Sequence, residues 1–295
     1  RNDFCAAPVV LARQHLSQVA PRYLMINTGN ANAGTGESGL LAASATVRAL
    51  AERVGCAEEE VLPFSTGVIG EPLPVDKLVA AQAPALADLH EDHWQTAAEG
   101  IMTTDTRPKV ASVQIPFGDH YFSITGITKG AGMIRPNMAT MLSFVATDLA
   151  IAPALLKVAL SRAVEQSYHR ITIDGDTSTN DACTLSATGA SSLPPISSES
   201  DPLYLHFCDA LESLLLSLAQ AMVRDGEGAT KFFEIQVHGG LTEQECLDVA
   251  FTIAESPLVK TAVFASDPNW GRLLAAIGRA GLVNLAIDQI TLTLN

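Results

Sequence analysis

Hydrophobic positions along the chain alternate between a strand-like and a helix-like rhythm. The run Arg22-Tyr23-Leu24-Met25-Ile26 is short and mostly apolar, the pattern of a buried strand. Leu40 to Val54 carries Ala and Leu at helical spacing and meets Gly55, a residue that ends helices without steric cost. Asp76 to His90 repeats that spacing, with Pro84 placed to bend or break the helix. Lys109–Pro116 and His120–Ile127 are rich in β-branched and aromatic residues, and Phe117-Gly118-Asp119 between them predicts a hairpin. Ser143–Thr147 predicts another strand, and Pro153–Gln166 a helix opened by proline. Ser192–Pro202, rich in Ser, Pro and acidic residues, is a surface linker ahead of a long amphipathic helix over Leu203–Arg224. Lys231–His238 alternates like a strand. Thr242-Glu243-Gln244-Glu245 fits a capping box before a helix through Ile253, and Ile290–Leu294 predicts a final strand.

Interleaved strands and helices over 295 residues point to two lobes or one large α/β domain. The hydrophobic fraction of 47% is enough for a sizeable core and excludes a disordered chain. No apolar run reaches the roughly 18 residues of a membrane span, and the first residues do not read as a signal peptide. The formal net charge of −14 repels phosphate backbones and anionic lipid, and aromatics at 5% offer few stacking platforms. Nucleic-acid and membrane partners are therefore not expected. Cys5, Cys56, Cys183, Cys208 and Cys246 are widely spaced with no CxxC, as expected of reduced thiols in a cytoplasmic protein.

Several motifs resemble known sites only superficially. Gly34-Thr35-Gly36-Glu37-Ser38-Gly39 matches a dinucleotide fingerprint, but its first glycine lies eight residues beyond Ile26, too far for the tight strand-to-helix turn. His90 and His93 are not in an HExxH frame and read as a surface helix end. Asp174-Gly175-Asp176 opens like a calcium loop but lacks its later glycine and terminal glutamate. No metal site is expected.

Compact sets of hydroxyl, glycine and acidic residues recur along the chain. They are Asn27–Ala33, Ser65–Gly70, Thr103–Lys109, Asp174–Asp181, Asp225–Lys231 and Asp267–Arg272. Each set alone reads as a turn or a helix cap. Together with the stretch Thr128–Leu142, which holds two glycines, a proline and a lysine just before a strand, they suggest a site built on loops.

With these residues in view, the chain resembles the arginine-biosynthesis ornithine acetyltransferase family, the bifunctional glutamate N-acetyltransferases. The resemblance rests on Ser65–Gly70, Thr103–Lys109, Asp174–Asp181, Asp225–Lys231 and the stretch from Leu258 to Gly278, in the family's order. Its most specific part is Lys-Gly-x-Gly-Met-Ile-x-Pro-Asn-Met-Ala-Thr-Met-Leu over Lys129–Leu142. The resemblance implies an α/β fold of stacked sheets flanked by helices, layered α-β-β-α. It also implies autocatalytic cleavage between Ala139 and Thr140, giving an alpha chain over 1–139 and a beta chain over 140–295. The freed Thr140 is then the nucleophile, and its α-amine, with a reference pKa of roughly 8, is the base. Thr66 and Gly67 correspond to the oxyanion donors. Thr106, Lys129, Thr140 and Glu227 correspond to the substrate-binding residues, with Lys129 a natural partner for a carboxylate.

The implied reaction is ping-pong acetyl transfer from N-acetylornithine to glutamate through an acetyl-Thr140 ester, without a bound cofactor. Acetyl-CoA is a second candidate donor. The implied assembly is a heterotetramer of two alpha and two beta chains. The family continues past the position of Asn295 in a tail that completes its substrate pocket, and it has a longer N-terminal segment. Two other readings share part of the pattern: a self-processing N-terminal-nucleophile aminopeptidase and a non-catalytic amino-acid-binding relative.

Overall fold

The computed structural model of the chain describes residues 3–135, 141–283 and 285–294. The chain enters through α1 (Ala7–Leu16) and β1 (Tyr23–Asn30). It crosses back over α2 (Gly36–Val54) and returns as β2 (Val61–Val68), parallel to β1. A parallel pair requires such a crossover. α2 stops at Gly55, whose φ of +68° is the left-handed turn predicted there. α3 (Val75–Ala87) and α4 (Trp94–Gly100) follow.

The second sheet has the order β3-β4-β5-β6. β3 (Lys109–Phe117) and β4 (His120–Lys129) form the predicted hairpin, closed by a Phe117–His120 pair around Gly118 and Asp119. β5 (Leu142–Thr147) runs antiparallel to β4. After the α5 crossover (Pro153–Glu165), β6 (Ala182–Ala187) pairs parallel with β5. α6 (Pro202–Arg224), α7 (Glu243–Ala254), α8 (Pro257–Phe264) and α9 (Trp270–Gly278) complete the chain.

Side-chain alternation sorts these elements into layers. One face of β1 and β2 places Tyr23, Met25 and Val61 against Leu11 of α1 and Val47 and Leu50 of α2. The other face places Leu24, Ile26, Leu62 and Phe64 against Ile127, Leu142 and Phe144 of β4 and β5. Phe64 and Phe144 meet edge to face with ring centroids 5.1 Å apart. The far side of β4 buries Phe122 and Ile124 against Phe207, Leu211 and Leu215 of α6 and Ala159 of α5. Each large apolar side chain buried this way contributes about 1.5–3 kcal/mol. The result is helix, sheet, sheet, helix, the layered α-β-β-α order the resemblance implies.

Three local expectations differ from the structure. Pro84 does not break α3 midway. It lies in the helix's last turns, and α3 ends at Ala87, short of His90. The predicted strands Lys231–His238 and Ile290–Leu294 form no ladder among the described residues. Alternation alone does not make a strand, because the backbone needs a partner. Ile235, Val237 and Ile290 pack instead on Val249 and Ile253 of α7 and Ile277 of α9. Conversely, β2 is a strand in spite of Pro63 and Gly67, held by burial on both faces. Among the described residues no helix is long and apolar enough to cross a membrane.

Candidate active site

The two sheets come together at the end of β2, the end of β4 and the start of β5. Along β4 the odd positions point toward β1 and β2, so Lys129 follows Ile127 into the space between the sheets. It is 1% exposed, and its Nζ donates to Thr103 Oγ1 at 3.2 Å. Burial is the main influence on this lysine and pulls its pKa below the ordinary lysine value. Asp105, Asp181 and Glu227 pull the other way.

A second buried lysine lies close by. Lys109 opens β3 opposite Thr128. Its Nζ sits 2.6 Å from Asp105 Oδ1 and 2.6 Å from Asp225 Oδ2. Asp105 also accepts from the backbone N–H of Gly130 at 2.8 Å and of Thr103 at 3.1 Å. Asp225 accepts from the backbone N–H of Thr106 at 3.1 Å and from its hydroxyl. Burial works against both carboxylates, yet the Lys109 contacts and these N–H and O–H donors hold both below the ordinary aspartate value.

Thr106 is therefore committed to Asp225, which stands two residues before Glu227. The Glu227 backbone N–H donates to Ala131 O at 2.7 Å, and its exposed side chain lies over Gly132. A Cβ on Gly132 would fall 2.8 Å from Glu227 Oε1, so the glycine lets that carboxylate approach.

On the facing sheet, Thr66 follows Leu62 and Phe64 on the same face of β2 and is 2% exposed. Gly67 has φ +130°, and a Cβ there would fall 2.3 Å from the Gly29 carbonyl carbon. Only glycine fits at position 67.

The loop before β6 joins the two sides. Asn180 donates through Nδ2 to Ala31 O at 2.6 Å and Ser65 O at 3.0 Å. Asp181 Oδ1 accepts from the Met141 backbone N–H at 3.0 Å, and Ala182 N–H donates to Met141 O at 3.1 Å. Asp174 accepts from the backbone N–H of Met133 and, at 3.0 Å, of Ile134. Burial lifts Asp181 to about 7, while Met141, Ser178 and Lys129 pull it down.

The structure thus brings Thr106, Lys129 and Glu227 together around one charged cluster and sets Thr66 and Gly67 on the opposing sheet. Ala139 and Thr140 lie outside the described residues, and Met141 is the first described residue after them. Among the described residues, no group of three or more His, Cys, Asp or Glu is placed to hold a metal ion. Sequence reasoning assigned no role to Asp105, Lys109, Asn180, Asp181 or Asp225. Each stood inside a motif already noted, but its partner is distant in sequence. Only the four-residue spacing of Asp105 and Lys109 offered a local signal.

Comparison with known proteins settles the lineage. The sequence model of the ArgJ family matches residues 1–295. The chain belongs to the ArgJ family. This bears out the resemblance read from its motifs. The arginine biosynthesis bifunctional protein ArgJ of Pseudomonas fluorescens (strain Pf0-1) is 56% identical over 289 residues, covering 98% of this chain and 71% of its own length. The protein of the same name from Psychrobacter arcticus is 55% identical over 295 residues, covering 100% and 72%. Among solved ArgJ structures, the Bacillus halodurans protein is 42% identical with a TM-score of 0.44, covering 46% of this chain and 63% of its own. An ornithine acetyltransferase complexed with ornithine, from Mycobacterium tuberculosis, is 37% identical with a TM-score of 0.44, covering 46% and 73%.

Proposed function

We propose that this ArgJ-family chain transfers the acetyl group of N-acetylornithine to glutamate, releasing ornithine and forming N-acetylglutamate, with Thr140 as nucleophile. The observation that carries this reading is Lys129. It is a buried cation whose Nζ donates to the neutral Thr103 hydroxyl and forms no ion pair with a carboxylate among the described residues. Both substrates carry an α-carboxylate, and a carboxylate reaching Lys129 would meet a charge already withdrawn from water. The bifunctional arginine-biosynthesis role in the names of the relatives supports the same chemistry.

The sequence of steps follows from a threonine nucleophile. In self-cleavage the Thr140 hydroxyl attacks the Ala139 carbonyl carbon. A C–O bond forms, the C–N bond breaks, and the nitrogen of Thr140 takes up the proton the hydroxyl gave. Water then opens the ester, leaving a carboxylate on Ala139 and a free amine and hydroxyl on Thr140. In transfer that amine takes the hydroxyl proton, and the oxygen attacks the acetyl carbon of N-acetylornithine. The proton passes to the departing ornithine nitrogen. Glutamate's amine reverses the step on the acetyl ester and regenerates the hydroxyl. Thr66 and the Gly67 N–H would stabilise each oxyanion, a contribution typically on the order of 3 kcal/mol per donor. Lys129 would hold the α-carboxylate of either amino acid, while Thr106 and Glu227 shape the pocket beside it. Acetyl-CoA would serve as a second donor to the same ester. The two cleavage products would assemble as two alpha and two beta chains in the cytoplasm.

Mass spectrometry tests the reading. Wild-type protein should yield a fragment beginning at Thr140, and N-acetylornithine without glutamate should add one acetyl mass to it. Thr140→Ala should remain uncut and inactive, whereas Thr140→Ser should still cut. A Thr140→Ala protein recovered as two fragments would overturn the nucleophile assignment.

A further inference from the structure

The loop over Asp174–Asp181 grips the backbone on both sides of residues 136–140. Asp174 holds the N–H groups of Met133 and Ile134 before them, and Asp181 holds the N–H of Met141 after them. Next to Asp181, Asn180 reaches the carbonyl of Ser65, the residue before Thr66. An unbroken path of hydrogen bonds and covalent bonds therefore runs from Thr66 through Ser65, Asn180 and Asp181 to Met141. The Met141 nitrogen that ends this path is the amide nitrogen bonded to the carbonyl carbon of Thr140.

We propose that Asp181 is a positioning residue that sets the nucleophile against the Thr66–Gly67 pair by holding the peptide link after Thr140. This rests on the reading of Thr140 as nucleophile. Met141 is fixed at both ends, its N–H by Asp181 and its carbonyl by Ala182, so its approach is decided before any substrate arrives. Burial puts the Asp181 pKa at about 7, so above that pH its negative charge makes the stronger and shorter bond to the N–H. Since reactive alignment is sensitive to displacements of about 1 Å, loss of this hold should slow the chemical steps more than substrate binding. Lys129 is the charged side chain of β4 that acts on Asp181; its proposed hold on the substrate carboxylate is a separate contact.

The test uses the full chain with Asp181→Asn and Asp181→Leu. Asn keeps the size and one acceptor oxygen but loses the charge. Leu loses the acceptor altogether. At about pH 8, where Asp181 is mostly ionised, Asp181→Asn should slow self-cleavage and lower kcat of the cut enzyme about tenfold, with KM for both amino acids within about twofold. Asp181→Leu should lower both rates on the order of 100-fold. Should Leu fail to fold, Asp181→Asn decides alone. Wild-type rates of cutting and turnover in folded Asp181→Asn would overturn the proposal, as would a rise in KM at unchanged kcat. A cut Thr140→Ala protein would overturn the nucleophile reading instead, so the two failures are distinguishable.

Discussion

Lys109 and Lys129 begin β3 and end β4 of one hairpin, and both are almost fully buried, 3% and 1% exposed. Their surroundings are opposite. Lys109 lies between two carboxylates at 2.6 Å each, both of which also accept N–H donors. Lys129 has the Thr103 hydroxyl. A buried cation with its counter-charges in place is a structural joint. Asp105, Asp181 and Glu227 act on Lys129 only from beyond ion-pair distance, so its burial is less compensated, and a carboxylate from outside would relieve the cost. The contrast teaches that burial alone does not tell a binding lysine from a structural one; the carboxylates around it do.

The largest expected effect breaks the Lys109 side. Lys109→Met leaves buried Asp105 without an ion pair and Asp225 with only Arg107 at 3.8 Å, which should cost about 3–5 kcal/mol. Urea unfolding would measure it. The double variant Lys109→Met/Asp225→Asn should recover part of the loss. Equal stability of Lys109→Met and wild type would end the distinction between the two lysines.

Next comes the Lys129 side. Lys129→Met abandons no paired carboxylate, so stability should hold or rise, while KM for both amino acids should rise on the order of 100-fold. Since burial lowers this lysine's pKa, wild-type KM should also climb at alkaline pH before the ordinary lysine value of 10.5 is reached. A lysine lowered in the folded state binds fewer protons there than when unfolded. Its contribution to stability therefore rises with pH over that window, opposite to the expected trend in binding.

The smallest effect sharpens the comparison through the carboxylates. Asp105 and Asp225 are lowered on folding, so their contribution is complete above the ordinary value of 3.8 and is lost as pH falls through the folded values. Asp181 is raised to about 7, so its contribution falls as pH rises from about 4 to about 7. Asp181→Asn should flatten the stability profile over that interval, a change of about one proton at most, and leave the acid limb in place. Unfolding curves at stepped pH would read both limbs.

Local pattern predicted the elements whose evidence is local. The β3–β4 hairpin is legible in two β-rich runs around Phe117-Gly118-Asp119, and α6 in the amphipathic spacing of Leu203–Arg224. The capping box predicted the start of α7, where Thr242 Oγ1 accepts from Glu245 N–H at 3.2 Å. Strands that depend on a distant partner were harder. β2 hides behind Pro63 and Gly67, whereas Lys231–His238 alternates without finding a ladder among the described residues. Among site residues, the motif resemblance singled out Thr66, Gly67, Thr106, Lys129 and Glu227, but offered no view of what surrounds them.

The sequence by itself determined the family, through a motif run specific enough to be read directly, and the alternation of strands and helices behind the layered fold. Tertiary structure alone decided the electrostatics of the site. Asp225 lies 116 positions from Lys109 yet shares its ammonium with Asp105, and Asn180 reaches Ser65 across 115. Hydrogen bonds and ion pairs act over a few ångströms of space, and only folding turns sequence separation into that distance. The same short range explains why Lys109 and Lys129, alike in type and burial, differ in role: each is defined by the charges that the fold brings within reach.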